Sequence, residues 1–289
     1  MRRYYELILE HMHRIIGALL KRTFGRRNLA RIGRYVTNVA RLDTSNIITC
    51  NGELRVQNSV INCHATNEPL VVFDVGANQG LWTTYLLDCC KARPDCNISV
   101  HAFEPVESTM TMLRHNLAAD IKRGRVIPVC AGMSNEGGRS KISVFSAGCG
   151  TNALTPDPMG EAFHTEDVVL WTIDSYCEEH NVQTLNFVKI DAEGHDLFVI
   201  RGAKKMLCGK RIEVMQFEYN HRWIWSRAYL RDVFEISMAT EYSVGKVTPL
   251  GVEFYDQWHP ELEKYVEGNY LLCRSDSRQY FTQIGWWNS

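Results

Sequence analysis

The chain has 289 residues, 45% hydrophobic and 22% charged, with only 8 prolines. That length buries a core without disulfide or metal staples, and the composition excludes a disordered or collagen-like polymer. The 32 basic and 33 acidic side chains nearly cancel, yet residues 1–41 hold ten Arg and Lys against Glu6 and Glu10, a formal +8 that leaves −9 on the rest.

The basic stretch comes first in chain order. Leu7, Ile8, Met12, Ile15, Ile16, Leu19 and Leu20 recur at helical spacing but are interrupted by Glu10, His11, His13 and Arg14, so no simple bilayer-spanning helix is expected. Lys21-Arg22 and Arg26-Arg27 follow where a secretory signal would place small residues. A cytoplasmic protein is expected, and the ten cysteines, with no C-x-x-C pair, read as reduced thiols there instead of a zinc or disulfide framework. The basic amphipathic helix has three open readings: packing on its own domain, peripheral contact with an anionic membrane, or recruitment of a partner such as a glycosyltransferase. Nucleic acid is disfavoured, because the acidic body would repel phosphate. Residues 28–69 show no clear period, so 1–69 is read as an N-terminal extension and 70–289 as the main domain.

From residue 70, short apolar runs alternate with longer helical stretches, the pattern of parallel strands joined by helical crossovers. Strands are predicted near 70–75, 98–104, 126–130, 185–191, 211–218, 242–248 and 268–274, and helices near 80–92, 107–119, 174–181, 195–208 and 226–238. Asp174 is the expected N-cap of the third of these helices. Residues 139–145 and 166–173 read as two additional strands flanking a Gly-, Thr- and Pro-rich segment, Ser146 to Asp167, whose length suits a cover over a binding site.

The first strand runs through Phe73-Asp-Val-Gly-Ala-Asn-Gln-Gly80 into a helix. The carboxyl end of a parallel strand is where open α/β sheets bind ligands, and glycine permits close approach to the backbone. The turn lacks both the G-x-G-x-x-G dinucleotide fingerprint and a Walker-type Lys-Ser/Thr. The next strand ends in Phe103-Glu104-Pro105, and a carboxylate there can accept from vicinal ribose hydroxyls. Turn and acid together point to an adenosine-bearing ligand without a phosphate clamp.

This combination resembles the S-adenosylmethionine-dependent methyltransferases, and within them the FkbM-type family. The resemblance spans about 70 to 274 and rests on Phe73–Gly80, Phe103-Glu-Pro105, Phe187-Val-Lys-Ile-Asp-Ala-Glu-Gly-His-Asp196 continuing to Ile200-Arg-Gly-Ala203, and Gln216-Phe-Glu-Tyr219. Asp196 departs from the family's usual Glu. The resemblance implies a Rossmann-like α/β fold, a mostly parallel seven-stranded sheet with helices on both faces, here with an N-terminal helical extension. It also implies S-adenosylmethionine as methyl donor and a hydroxyl acceptor on a sugar, glycan or glycosylated small molecule.

On that reading Asp74 and the turn Gly76, Asn78 and Gly80 hold the methionine end, Glu104 the ribose, and Ala131-Gly132 the adenine side. An alcohol needs a base or a metal to become nucleophilic. His195 is the expected base, oriented by Asp191 or Glu193, with Lys189 paired to a carboxylate. The alternative is a divalent cation on Asp191, Glu193 and Glu218. Glu218, Asn220, His221 and Trp223 offer polar groups beside aromatic planes, suited to a sugar. A catalytically idle binding module and a protein side-chain methyltransferase are the competing readings.

Overall fold

The computed structural model describes residues 2–64, 68–93, 95–145, 152–154 and 164–288, with backbone alone for 2–5, 7 and 8. Most of the predicted cover, residues 146–151 and 155–163, lies outside the described residues, as do Cys149 and the side chains of Leu7 and Ile8. Two compact units divide the chain, residues 1–43 and 44–289. The first is built on α1 (Arg2–Ala40), kinked at Gly25 where φ is 72°. Along it Met12, Ile15, Ile16 and Leu19 are exposed, and no described helix is long and apolar enough to cross a membrane.

The second unit opens with α2 (Glu53–Cys63), which belongs to the α/β body although its sequence shows no clear period. Then follow β1 (Leu70–Val75), α3 (Leu81–Cys90), β2 (Ile98–Phe103), α4 (Glu107–Asn116), α5 (Ala118–Lys122) and β3 (Val126–Val129). Next come β4 (Gly132–Met133), β5 (Gly138–Val144), β6 (His164–Trp171), α6 (Ile173–Glu179), β7 (Leu185–Ile190), α7 (Asp196–Arg201) and α8 (Lys204–Cys208). The chain closes with β8 (Ile212–Tyr219), α9 (Leu230–Thr240), β9 (Tyr242–Thr248), β10 (Gly251–Tyr255), β11 (Gly268–Arg274) and β12 (Gln283–Ile284).

All seven predicted strands form, within a nine-stranded sheet of order β12-β10-β9-β11-β8-β7-β1-β2-β3. The β3-β2-β1-β7-β8 half is parallel, and β11 runs antiparallel between β8 and β9. The sheet exceeds the expected seven because β10 folds back antiparallel on β9 and β12 adds beside it. The two additional strands do not join it: β6 pairs with β5 on one side and β4 on the other in a separate three-stranded sheet.

Strands covered on both faces read as continuous apolar runs, and every residue of β7 is buried. One core layer packs Ile173, Tyr176, Leu197, Met206, Val233 and Phe234 of α6 to α9 against the sheet; the other packs Val56, Val60, Leu86, Met110 and Leu113 of α2 to α4. Each such fully buried side chain contributes roughly 1.5–3 kcal/mol. The helix expected over 195–208 is broken into α7 and α8, and Asp174 explains the break. Its carboxylate accepts from the backbone N–H groups of Lys205 (2.7 Å) and Met206 (2.9 Å), while Thr172, in a capping box with Ser175, caps α6 in its place. The nine described cysteines are free thiols.

Candidate active site

The parallel register places the ends of β1, β2 and β7 side by side, with Asp74 opposite Ala102 on one neighbour and Lys189 on the other. Gly76, at φ 71°, leaves β1 where an added Cβ would collide with the Asp191 carbonyl oxygen. Only glycine lets these two chain segments approach so closely. Glu104 is 6% exposed and accepts backbone N–H groups from Asn78 (3.1 Å) and Val106 (3.0 Å). Burial pushes its carboxyl up to about 7, against those two hydrogen bonds. Asn78 sits at φ 48°, with its Oδ1 buried and without a hydrogen-bond partner among the described residues.

Asp74 and Gly80 are placed differently from expectation. Asp74 is fully buried behind the turn, accepting from the Thr83 hydroxyl (2.6 Å) and lying 3.4 Å from the Lys189 ammonium. Gly80 caps α3, and a Cβ there would strike Leu117, so its smallness serves helix packing. Ala131 is buried, while Gly132 lines the cleft beside Pro105 and Met133.

At the end of β7, Lys189 lies 3.5 Å from Asp191 and donates to the Gly76 carbonyl (3.2 Å). Burial alone would lower its affinity for a proton, but Asp191 and Asp74 outweigh that and hold it charged. Glu193 pairs with Arg222 at 3.0 Å, and burial with the neighbouring Asp191 charge raises its carboxyl to about 8. Asp196, the shorter acid, is fully buried and accepts from the Gly194 (3.2 Å) and Ala192 (3.4 Å) N–H groups, tying the turn together. His195 is turned away from this group. Its Nε2 meets Ser134 Oγ at 2.8 Å, its ring stacks on Phe198, and burial lowers its pKa to about 4. An imidazole so easily deprotonated is a weak base, and it lines neither arm of the cleft described below.

The end of β8 forms no sugar platform. Trp223 is fully buried, packs on Phe217 and Tyr219, and donates to the Glu218 carbonyl (3.0 Å). Asn220 is buried too and caps the following turn through the Arg222 N–H, while His221 is exposed outside the cleft. Glu218 is held by Asn46 (2.7 Å) and Asn220 (2.5 Å). With Glu218 engaged by amides and Glu193 by arginine, the alternative ligand set of Asp191, Glu193 and Glu218 is not assembled, and no group of three metal-holding side chains occurs among the described residues.

What the strand ends enclose is a cleft with two arms that share Gly76, Asn78 and Asp191. The narrow arm, about 90 Å³, is lined by Glu104, Gly132, Glu193 and by Ile142, Asn152 and Leu154 from the second sheet and the segment after it. The wide arm, about 740 Å³, is lined by Asn46, Ile47 and Ile48 ahead of α2, by Glu53, and by Leu81, Trp82 and Tyr85 of α3. Sequence reasoning missed the contribution of residues 46–53 and of Trp82. A tryptophan two residues past a turn glycine was the available signal for one; the aperiodic 46–53 stretch offered none.

The residues fit a nucleoside: an acid with two backbone N–H groups fixing it, and a glycine beside the narrow arm. At about 90 Å³ that arm is below the roughly 300 Å³ of ordinary ligand pockets, so Ile142, Asn152 and Leu154 must yield to admit one.

A model of the methyltransferase FkbM domain matches residues 74–265. Hexuronic acid methyltransferase AglP of Haloferax volcanii is 30% identical over 160 residues, 54% of this chain and 59% of that protein, so the chain spans less than two thirds of that relative. Among solved structures, methyltransferase FkbM from Methylobacillus flagellatus is 15% identical with a TM-score of 0.45, covering 74% of this chain and 47% of that one. A SAM-dependent methyltransferase from Agrobacterium tumefaciens is 8% identical with a TM-score of 0.40, covering 76% and 60%.

Proposed function

The chain belongs to the FkbM methyltransferase family, and we propose that it uses S-adenosylmethionine to methylate a hydroxyl of a sugar or glycan. The observation that carries this is Glu104: a buried carboxylate at the end of β2, aimed by the Asn78 and Val106 N–H groups beside the narrow arm. Such an acid suits the ribose diol. Gly132 and Met133 would flank the adenine, and Lys189 with the backbone of the Gly76 turn would hold the methionine end. A relative named for a hexuronic acid supports a saccharide acceptor.

When bound, the donor supplies an electrophilic methyl whose C–S bonding pair leaves on sulfur as the new O–C bond forms. This chain's part is to orient the acceptor and remove its proton. Asp191 lines both arms, so it is the carboxylate placed to accept the hydroxyl proton, with the Lys189 ammonium 3.5 Å away. His195 supports the loop behind. Glu193, paired to Arg222, fixes the turn that presents Asp191.

Titrating S-adenosylhomocysteine into wild type and Glu104→Ala tests the donor site, with heat release expected from the first and strongly reduced in the second. Incubating the protein with fractionated cell extract and methyl-labelled donor tests the acceptor class, with label expected in carbohydrate. Label in protein, or none, would count against the sugar reading.

A further inference from the structure

The wide arm carries information about acceptor charge. It is lined by Asn46, Asn78, Gln79, Asn116, Thr84 and Tyr85, hydrogen-bonding groups without net charge, together with Glu53, Asp191 and Lys189. Lys189 is the one cation lining either arm among the described residues, and it is shared between Asp74 and Asp191. Against it stand Glu53 and Asp191 in the wide arm and Glu104 and Glu193 in the narrow one. A carboxylate or phosphate entering the cleft would find no cation free to pair with it.

Two side chains that line the same arm each carry a buried polar atom with no hydrogen-bond partner among the described residues: Asn78 Oδ1, an acceptor, and Trp82 Nε1–H, a donor. Leaving such groups unpaired costs about 1–3 kcal/mol each, so the arm is complementary to a group that both donates and accepts. A neutral hydroxyl does so; a carboxylate only accepts. The Trp82 ring is held against Phe187, centroids 5.3 Å apart, which fixes the direction of its N–H.

We infer that the acceptor is an uncharged, hydroxyl-rich sugar that hydrogen-bonds Asn78 and Trp82 in the wide arm, and that anionic sugars such as uronates are rejected there. This rests on the proposed sugar methylation. The full chain with labelled S-adenosylmethionine is assayed on methyl hexopyranosides and on the uronates of matching configuration. The neutral glycoside is expected to have the higher kcat/KM by at least about tenfold, because a uronate carboxylate buried there would lose its hydration with no free cation to replace it. Trp82→Phe, which keeps the ring and removes the N–H, should raise the KM for the glycoside about five- to tenfold with donor affinity unchanged. Leu81→Lys, at an exposed position lining the same arm, should narrow the preference by improving turnover of the uronate. Equal or better use of the uronate by wild type overturns the inference while leaving sugar methylation intact, and so does an unchanged KM in a folded Trp82→Phe. Donor binding with methylation of neither sugar removes the sugar reading itself, and the inference with it.

Discussion

Glu104 and Glu218 invite comparison, because both close a strand at the same edge of the sheet, both are almost wholly buried, and burial raises the pKa of both. Their partners differ. Glu104 is held by two backbone N–H groups and lines the narrow arm. Glu218 is held by the side-chain amides of Asn46 and Asn220 and lines neither arm. Backbone donors are fixed by the fold and leave the carboxylate's remaining lone pairs for a ligand, whereas two amides reaching in from separate segments fill the site. A polar residue at a strand end is thus a ligand group or an internal strut according to what the rest of the chain brings to it.

The largest effect should fall on the residue that both arms share. Asp191→Asn is expected to lower kcat by about 10²- to 10⁴-fold, the usual worth of a general base, with donor affinity largely kept; near-normal turnover would remove Asp191 from that role. Glu104→Ala should weaken donor binding by about ten- to a hundredfold, the loss of charge-assisted hydrogen bonds. Glu218→Ala should invert that pattern: donor affinity stays within a factor of about two, but the protein loses on the order of 1–3 kcal/mol as Asn46 and Asn220 are left unpaired. Calorimetry with S-adenosylhomocysteine beside urea unfolding of both variants reads the contrast directly, and equal losses of affinity would erase it.

A pH series sharpens the contrast further. Glu104 has its carboxyl raised from 4.5 to about 7, so between those values the folded chain keeps a proton that the unfolded chain has released. Stability from this group is therefore present below pH 4.5 and lost as pH rises through 7. Glu104→Gln should be as stable as wild type near pH 4.5 and more stable at pH 8, by on the order of 1–3 kcal/mol in chemical unfolding. Donor affinity of wild type should move the other way, rising from pH 6 to 8 as the carboxylate ionises; a flat profile would show that Glu104 is not the group contacted. The smallest effect is expected at His195, where His195→Ala should leave kcat within a factor of about ten of wild type, because its ring faces Ser134 and Phe198.

Much of the frame was legible in the residues themselves. The apolar runs of β1, β2 and β7 gave away a parallel sheet, because strands buried on both faces cannot alternate. Glu104 could be picked out by its position alone, since register fixes where a strand-end side chain stands. The misreadings share a cause. Trp223 and Asn220 suited a sugar by type and by their place after a strand end, but a turn after β8 folds them back into the core. Asp174 looked like the cap of its own helix and caps another, 31 residues away in sequence at Lys205. His195 suited a base by type, and its burial against Ser134 removes that fitness.

The sequence by itself therefore determined the period of each strand and helix, the family motifs, and the chemical types available at the sheet's carboxyl edge, because these are local properties of consecutive residues. Only the tertiary structure decided which acids stay open to a ligand and which are consumed as struts, and that Asn46, Ile47, Ile48, Glu53 and Trp82 border the wide arm. Burial and hydrogen-bond partnership are set by groups far apart in the chain, and no local pattern encodes them.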